Sequence, residues 1–192
     1  VIALSIATRP DCLGDDVLDL LEEMSKKVYL WVELGLQTIN DKTAENFNRG
    51  YKFEVFKEGI KKLQDRGIEV VVHSIFGLPG ETKEDMLRTI DYIAHSGAQG
   101  IKFHLLHLMK NTKMAEQYYN GEFELLSEED YIDLICQGIS MIPEEMVVHR
   151  LTGDAPRATL IGPMWSLKKW EVLNAIDKAL VDRDIWQGKN FK

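Results

Sequence analysis

The stretch His73-Ser74-Ile75-Phe76-Gly77-Leu78-Pro79-Gly80-Glu81-Thr82 decides the fold of this chain. It follows the apolar, β-branched run 68–72, and a helical pattern begins near Lys83. This order predicts a buried strand, a tight turn and an immediate helix. The glycines at 77 and 80 allow a sharp turn and leave room for a ligand close to the backbone. In α/β proteins such a corner lies at the carboxyl end of a parallel strand, where ligands usually bind.

The same strand-then-helix unit recurs along the chain. Strands are predicted over residues 2–8, 28–32, 68–72, 100–107 and 146–151. Helices are predicted over residues 17–24, 53–66, 83–95, 131–142 and 166–184. We expect Asp15 or Asp16 to cap the first of these helices and Trp170 to be buried in the last. Regular alternation of this kind predicts an α/β fold with a parallel sheet and right-handed crossovers. No low-complexity linker divides the chain, so residues 1–192 form a single predicted domain.

Composition narrows the class of protein. The 192 residues are 45% hydrophobic and 28% charged, which is typical of a soluble globular domain. A net charge of −8 without a basic run makes binding to nucleic acid or to an anionic membrane unfavourable. Cys12 and Cys136 form no metal-ligand spacing, which favours a reducing, cytoplasmic location. Since the chain opens on a strand at Val1, we expect a fragment from the middle of a longer protein.

The strand ends carry a family resemblance. In chain order, Thr8-Arg9-Pro10-Asp11, Val32-Glu33-Leu34-Gly35-Leu36-Gln37 and the Ile75–Thr82 turn resemble strands three, four and five of radical S-adenosylmethionine (SAM) enzymes. The similar branch includes the Elongator catalytic subunit and oxygen-independent coproporphyrinogen oxidase. Residues 101–107 with Asn111-Thr112 resemble strand six, and residues 149–154 with 165–175 resemble the tail of a bacterial subfamily.

The resemblance implies a partial (β/α) TIM-like barrel. Residues 1–118 would form the core βα units, comprising parallel strands three to six, and residues 119–192 a C-terminal extension. Two strands of the roughly six-stranded barrel would be missing, which exposes a sheet edge. We therefore expect a homo-oligomer formed through that edge, or a terminus packed over it.

The resemblance also implies cofactors. Radical SAM enzymes hold a 4Fe-4S cluster on a CxxxCxxC loop after the first strand, and SAM binds the fourth iron. No such cysteine triplet occurs in this chain. A full-length protein would take an electron from a donor, cleave SAM to a 5′-deoxyadenosyl radical and abstract hydrogen from an unknown substrate. The fragment alone would be inactive.

Position by position, the resemblance gives a set of SAM-binding residues. Gln37 matches a glutamine that helps to hold SAM, and Arg49 matches an arginine that contacts it. Glu33 lies on the same strand end as Gln37. At Ala7, related sequences often carry a glutamate that contacts the amino-acid end of SAM, so Thr8 or Arg9 would have to compensate here.

The adenine side of the expected pocket comes from the opening stretch. Ile75 matches the residue whose backbone supports adenine, and Gly77 would be a second contact. His73 occupies a position near the ribose. Leu106, or Leu105 in a shifted register, would line the same pocket from the next strand.

Two other classes of function remain open from the sequence. Four histidines near strand ends, His73, His104, His107 and His149, suggest a metal-dependent TIM-barrel enzyme, with Schiff-base chemistry as a variant. However, His104 and His107 have opposite parity on a strand, and no HxH or HExxH spacing occurs. The third possibility is a non-catalytic module that binds SAM or a partner protein.

Overall fold

The computed structural model describes residues 2–192. The strands are β1 (Ala3–Thr8), β2 (Tyr29–Gln37), β3 (Glu69–Phe76), β4 (Gly100–Leu105), β5 (Leu108–Met109), β6 (Val147–Arg150) and β7 (Leu160–Gly162). The helices are α1 (Asp15–Ser25), α2 (Asp41–Asn46), α3 (Phe53–Asp65), α4 (Lys83–His95), α5 (Lys113–Tyr119), α6 (Glu128–Met141) and α7 (Lys169–Asp182). Single 3-10 turns lie at Pro10–Cys12 and Met164–Leu167.

A five-stranded parallel sheet organises the domain. Its strand order is β1-β2-β3-β4-β6, and β5 pairs with β7 in a separate antiparallel ribbon. The α/β class and the parallel sheet predicted from the alternating pattern are therefore confirmed. Because parallel neighbours run in the same direction, the carboxyl ends of the five strands lie at one edge of the sheet.

The two faces of the sheet differ in character. Leu34 of β2, Val72 of β3 and Phe103 of β4 are fully buried and pack with Phe56 of α3 and Ile90 of α4. The alternate residues of each strand form the opposite face, which is only partly buried. We call this second surface the inner face, since it corresponds to the interior of the barrel.

Helix starts follow the local sequence in most cases. Thr82 and Asp85 form a reciprocal capping box at α4. Asn40 accepts hydrogen bonds from two backbone N–H groups of α2, and Ser127 caps α6. The prediction for α1 was wrong, because Gly14 occupies the N-cap position there. Asp15 and Asp16 instead fall inside the first turn, where their charges favour the helix dipole.

Several strands end at other residues than predicted, at the edge of the sheet where their carboxyl ends lie. β2 continues to Gln37 and β3 to Phe76, several residues past the ends of their apolar runs. The ladder explains this extension, because Phe76 pairs with Leu105 of β4. Conversely, β4 ends at Leu105, two residues before the predicted end.

The prediction for Trp170 was also wrong. Its side chain is 77% exposed, whereas Val172 and Ile176 form the buried stripe of α7. Trp165 is half-buried instead, with its ring 5.5 Å from that of Tyr131. The helix begins at Lys169, and this start turns Trp170 toward solvent.

The outer strands of the five-stranded sheet are β1 and β6. Within the described chain, β1 pairs only with β2, so one side of it has no strand partner. Oligomerisation through this edge stays a prediction. Among residues 2–192, no helix is both long and apolar enough to cross a bilayer.

We expect Phe103→Ala to lower the free energy of unfolding by about 3–5 kcal/mol. Phe103 is fully buried, its ring lies 5.8 Å from that of Phe76, and α6 approaches it closely at Gly138. Urea unfolding monitored by circular dichroism measures the change. Trp170→Ala is the control and should stay within about 0.5 kcal/mol. Equal losses in the two variants would contradict this assignment of the core.

Candidate functional site

One carboxylate connects four strands on the inner face. Glu33 of β2 accepts a hydrogen bond from Ser5 of β1 at 2.7 Å. Its other oxygen lies 2.9 Å from Nε2 of His73 on β3 and 2.5 Å from Nζ of Lys102 on β4. The side chains of Glu33 and Lys102 are only 12% and 16% exposed. A buried charge is tolerated when it is paired and hydrogen-bonded, and Glu33 meets both conditions.

The pairing fixes the charge state of Glu33. Burial alone would raise its pKa, but hydrogen bonds from Lys102, Ser5 and His73 outweigh burial and lower the pKa to about 2. Burial lowers the pKa of His73, which the Glu33 carboxylate only partly offsets. At neutral pH Glu33 is therefore a carboxylate.

The end of β2 has a strained backbone at Gln37. Its φ angle is +62°, in the left-handed region that non-glycine residues rarely adopt, and the β2–β3 register shifts at this point. Gly35 lies beside it, and a Cβ at Gly35 would come 2.6 Å from Nε2 of Gln37. Strain of this kind concentrates at ligand-binding sites, where the surrounding structure holds it in place.

Arg49 and Tyr51 hold this strained turn. The Arg49 side chain is 2% exposed and donates to the carbonyls of Leu36, Thr38 and Tyr51 at 2.6–2.9 Å. The Tyr51 hydroxyl donates to the carbonyl of Gly35 at 2.8 Å and lies 3.2 Å from Oε1 of Gln37. Arg49 thus stabilises the backbone around Gln37 from within the protein.

A second group of predicted residues meets at the ends of β3 and β4. Gly77 has φ +87°, and a Cβ there would lie 3.1 Å from the Leu126 side chain and 3.7 Å from Cβ of Leu106. The backbone N–H of Leu106 donates to the carbonyl of Phe76 at 2.9 Å. The N–H of Gly77 donates to the sulfur of Met86 at 3.1 Å, which is a weak acceptor. Ile75 is half-buried on the inner face, opposite His104.

A cavity of about 330 Å³ opens beside this group. Leu106 and His107 line it after β4, residues 46–48 line it after α2, and Lys113, Met114 and Gln117 line it from α5. Small-molecule sites begin at about 300 Å³, so a ligand of modest size fits this space. Its position at the carboxyl ends of the strands is the position expected for a ligand site in a parallel barrel.

His104 and His107 do not lie on opposite faces of one strand, as their odd spacing predicted. Since β4 ends at Leu105, alternation does not govern His107, and both His104 and His107 adjoin Gly153. The rings of His73 and His104 lie 5.0 Å apart. Among residues 2–192, no group of three or more His, Cys, Asp or Glu side chains could hold a metal ion.

Comparison with known proteins identifies the family. The sequence profile of the radical SAM superfamily matches residues 1–93, and that of the radical SAM C-terminal domain matches residues 98–182. The chain belongs to the radical SAM superfamily. Membership supports SAM-dependent radical chemistry in general.

Curated relatives and a solved structure extend the comparison. This radical SAM chain is 52% identical over its full length to YtqA of Bacillus subtilis (strain 168), and 37% identical over 186 residues to YhcC of Escherichia coli (strain K12). These alignments cover 96–100% of this chain and about 60% of the length of each relative. An archaeal Methanocaldococcus infernus Elp3 with an N-terminal deletion has the same fold, with a TM-score of 0.83 and 22% identity. That alignment covers 97% of this chain and 43% of Elp3.

The predicted site residues of this radical SAM chain fall into three groups. Glu33 and His73 are hydrogen-bonded to each other, and Gly77 and Leu106 lie close together beside Ile75. Arg49 contacts the residues on either side of Gln37 and is linked to the Gln37 side chain through Tyr51. Their roles in SAM binding stay predictions.

Sequence reasoning missed Lys102, Tyr51 and Gly153. Lys102 and His104, which was already a candidate, alternate on β4, so alternation alone places both on the inner face. Tyr51 and Gly153 lie in loops, and no periodic pattern identifies them.

The Glu33 network predicts a specific loss of stability in acid. The unfolded pKa is about 4.5 and the folded pKa about 2, so the ion pair stabilises the fold fully above pH 4.5 and is lost as the pH falls toward 2. The difference corresponds to roughly 3 kcal/mol. Glu33→Gln should remove this contribution, and urea unfolding between pH 2 and 7 measures it.

Glu58→Gln is the matched control for Glu33→Gln. Glu58 is exposed on α3, so this variant should keep the wild-type pH dependence. If Glu33→Gln also retained the full loss of stability between pH 4.5 and 2, the network would not be its source.

Proposed function

We propose that this chain supplies the SAM-binding strand ends of an enzyme that cleaves SAM to a 5′-deoxyadenosyl radical. That radical would abstract hydrogen from a substrate lying against the inner face. The observation that carries the proposal is the strained Gln37 beside Gly35, at the same sheet edge as Ile75, Gly77 and Leu106. Strain and close backbone approach at adjacent strand ends support a ligand site.

The residues present fit SAM by type. The Gln37 amide offers both a donor and an acceptor for the amino-acid end of SAM. Ile75 and Leu106 offer an apolar surface for adenine, and the N–H of Gly77 has only a sulfur partner that a better acceptor could replace. His73 lies on the inner face, where a ribose hydroxyl could reach it.

The same residues do not fit the iron-sulfur cluster. Cys12 is exposed beyond β1 and Cys136 is buried in α6, and two cysteines are fewer than the three thiolates that the family uses. We therefore expect no SAM cleavage from the 192-residue chain by itself. The chain spans about 60% of the length of the curated relatives it matches, so activity of a complete protein is part of this proposal.

The side chains of the inner face are held in fixed positions, and this rigidity would help to orient a ligand for the reaction. His73 and Lys102 are already hydrogen-bonded to Glu33, so the three side chains would orient a ligand without first having to reorganise. The fully buried core lies beneath them, on the other side of the sheet.

SAM binding to the 192-residue chain provides the direct test. Calorimetry should detect a single site, and Gln37→Ala should weaken it at least about tenfold, because a hydrogen bond to a charged ligand is lost. Gln64→Ala removes a glutamine bonded to the carbonyl of Ser96, away from the strand ends, and should leave the affinity unchanged. Equal affinity in wild type and Gln37→Ala would refute the assignment of the pocket.

Catalysis is tested separately on the complete product of the gene that encodes this chain. After anaerobic reconstitution with iron and sulfide, dithionite and SAM should yield 5′-deoxyadenosine, measured by liquid chromatography. Gln37→Ala should reduce that yield, and Gln64→Ala should not. A reconstituted protein that carries a cluster and binds SAM, yet forms no 5′-deoxyadenosine, would contradict the radical mechanism.

A further inference from the structure

The Tyr51 hydroxyl lies close to two hydrogen-bond acceptors at the end of β2. It is 2.8 Å from the carbonyl oxygen of Gly35 and 3.2 Å from Oε1 of Gln37. A phenol has one proton to donate and two lone pairs that accept. Burial raises the pKa of Tyr51, so the phenol keeps its proton at neutral pH. A single proton therefore faces two acceptors, and the nearer one, the Gly35 carbonyl, receives it.

The phenol and the carbonyl are both held in place. The guanidinium carbons of Arg49 and Arg9 lie 4.7 Å and 5.3 Å from the centre of the Tyr51 ring. The backbone of Gly35 belongs to β2, where it pairs with His73 of β3. Of the three groups, the Gln37 side-chain amide is the one that turns without any movement of the backbone.

A half-turn of the Gln37 amide gives Tyr51 a second hydrogen bond. The oxygen and nitrogen ends of a glutamine side chain have nearly the same size, so the half-turn needs no additional space. Nε2 then takes the position 3.2 Å from the Tyr51 oxygen and donates to a free lone pair. Tyr51 becomes a donor to Gly35 and an acceptor from Gln37, and no two acceptors compete.

The other end of the amide gains from the same half-turn. Nε2 lies 2.6 Å from the position that a Cβ would take on Gly35, so an N–H donor stands against a glycine Cα–H that cannot accept. A carbonyl oxygen in that place forms a weak C–H···O contact instead. This end of the amide has no hydrogen-bond partner among residues 2–192, and it is not one of the buried polar atoms. It therefore remains open to a ligand on the inner face.

We propose that Tyr51 is a positioning residue that holds the Gln37 amide with Nε2 toward the phenol and Oε1 toward the ligand. Gln37 then serves as an acceptor, and the ligand group that it binds is a hydrogen-bond donor such as an ammonium. This inference rests on the proposed function only in naming SAM as the ligand, because the orientation of the amide is a property of the chain without ligand.

NMR of the ligand-free 192-residue chain tests the orientation. The Hε2 protons of Gln37 should show stronger nuclear Overhauser contacts to the Hε ring protons of Tyr51 than to the Hα protons of Gly35. Gln37→Ala identifies the Gln37 signals by removing them. Stronger contacts to the Gly35 Hα protons would overturn the proposal, because Nε2 would then lie beside Gly35.

SAM affinity tests the consequence of this orientation. Tyr51→Phe removes the hydroxyl and keeps the ring, so it should weaken SAM binding about threefold to tenfold in calorimetry. Tyr92→Phe is the matched control. Tyr92 is half-buried on α4, where it packs against Phe53 with 4.7 Å between ring centres, and its loss of a hydroxyl should leave the affinity unchanged. Equal affinity in wild type and Tyr51→Phe would refute the positioning role.

A double-mutant cycle separates positioning from a general loss of structure. If Tyr51 acts through Gln37, adding Tyr51→Phe to Gln37→Ala should change the SAM affinity by less than about twofold. The full effect of Tyr51→Phe in that background would show that Tyr51 acts by another route, which would overturn the proposal.

Gln37→Glu tests the role of Gln37 as an acceptor. A glutamate presents an oxygen at either end of the side chain, so this variant should retain more SAM affinity than Gln37→Ala. An affinity at or below that of Gln37→Ala would mean that the ligand needs the Gln37 donor, contrary to the proposal.

The positioning role and the proposed function fail in different experiments. The nuclear Overhauser contacts require no ligand, whereas the affinities require SAM binding by the wild-type chain. A chain in which Gln37 contacts Tyr51 as proposed, but which binds no SAM, would refute the SAM pocket and leave the orientation of the amide by Tyr51 intact.

Discussion

The inner face depends on the single carboxylate of Glu33. Its desolvation is unfavourable, and only the simultaneous approach of Ser5, His73 and Lys102 makes the charged form stable. These donors come from β1, β3 and β4, so one anion links side chains of four strands on the side opposite the helices. Hydrophobic packing holds the other face, but packing alone tolerates small shifts of register.

The side chains that order the sheet continue toward the carboxyl ends of its strands. Gln37 follows Glu33 by four residues on β2, and its backbone departs from strand geometry at the register shift. Buried Arg49 binds the carbonyls that the departing chain leaves free. The hydrogen-bonded layer around Glu33 and the supported turn at Gln37 together give this edge of the sheet a defined shape.

The sequence was sufficient for the parallel α/β sheet because the apolar runs and glycine-punctuated turns recur at regular spacing. It was insufficient at strand ends, where pairing with a neighbour extends β3 through Phe76 beyond its apolar run. The residues Glu33 and His73 could be placed at one site from their strand positions. The alternation of residues along β4 could have identified Lys102. Tyr51 and Gly153, however, act through long-range contacts that no local pattern encodes. Trp170 was misplaced because α7 buries Val172 and Ile176, and a residue two positions before Val172 lies on the opposite side of the helix.

The conformation of Gln37 has an evolutionary meaning. A glycine would adopt φ +62° without steric cost, and asparagine would adopt it more readily than glutamine. A chain selected only for folding would favour one of those residues at the end of β2. Retaining a long amide there sacrifices a fraction of the stability of the domain. Gln37 therefore lowers the stability of the domain at a position whose backbone a shorter residue would adopt more easily.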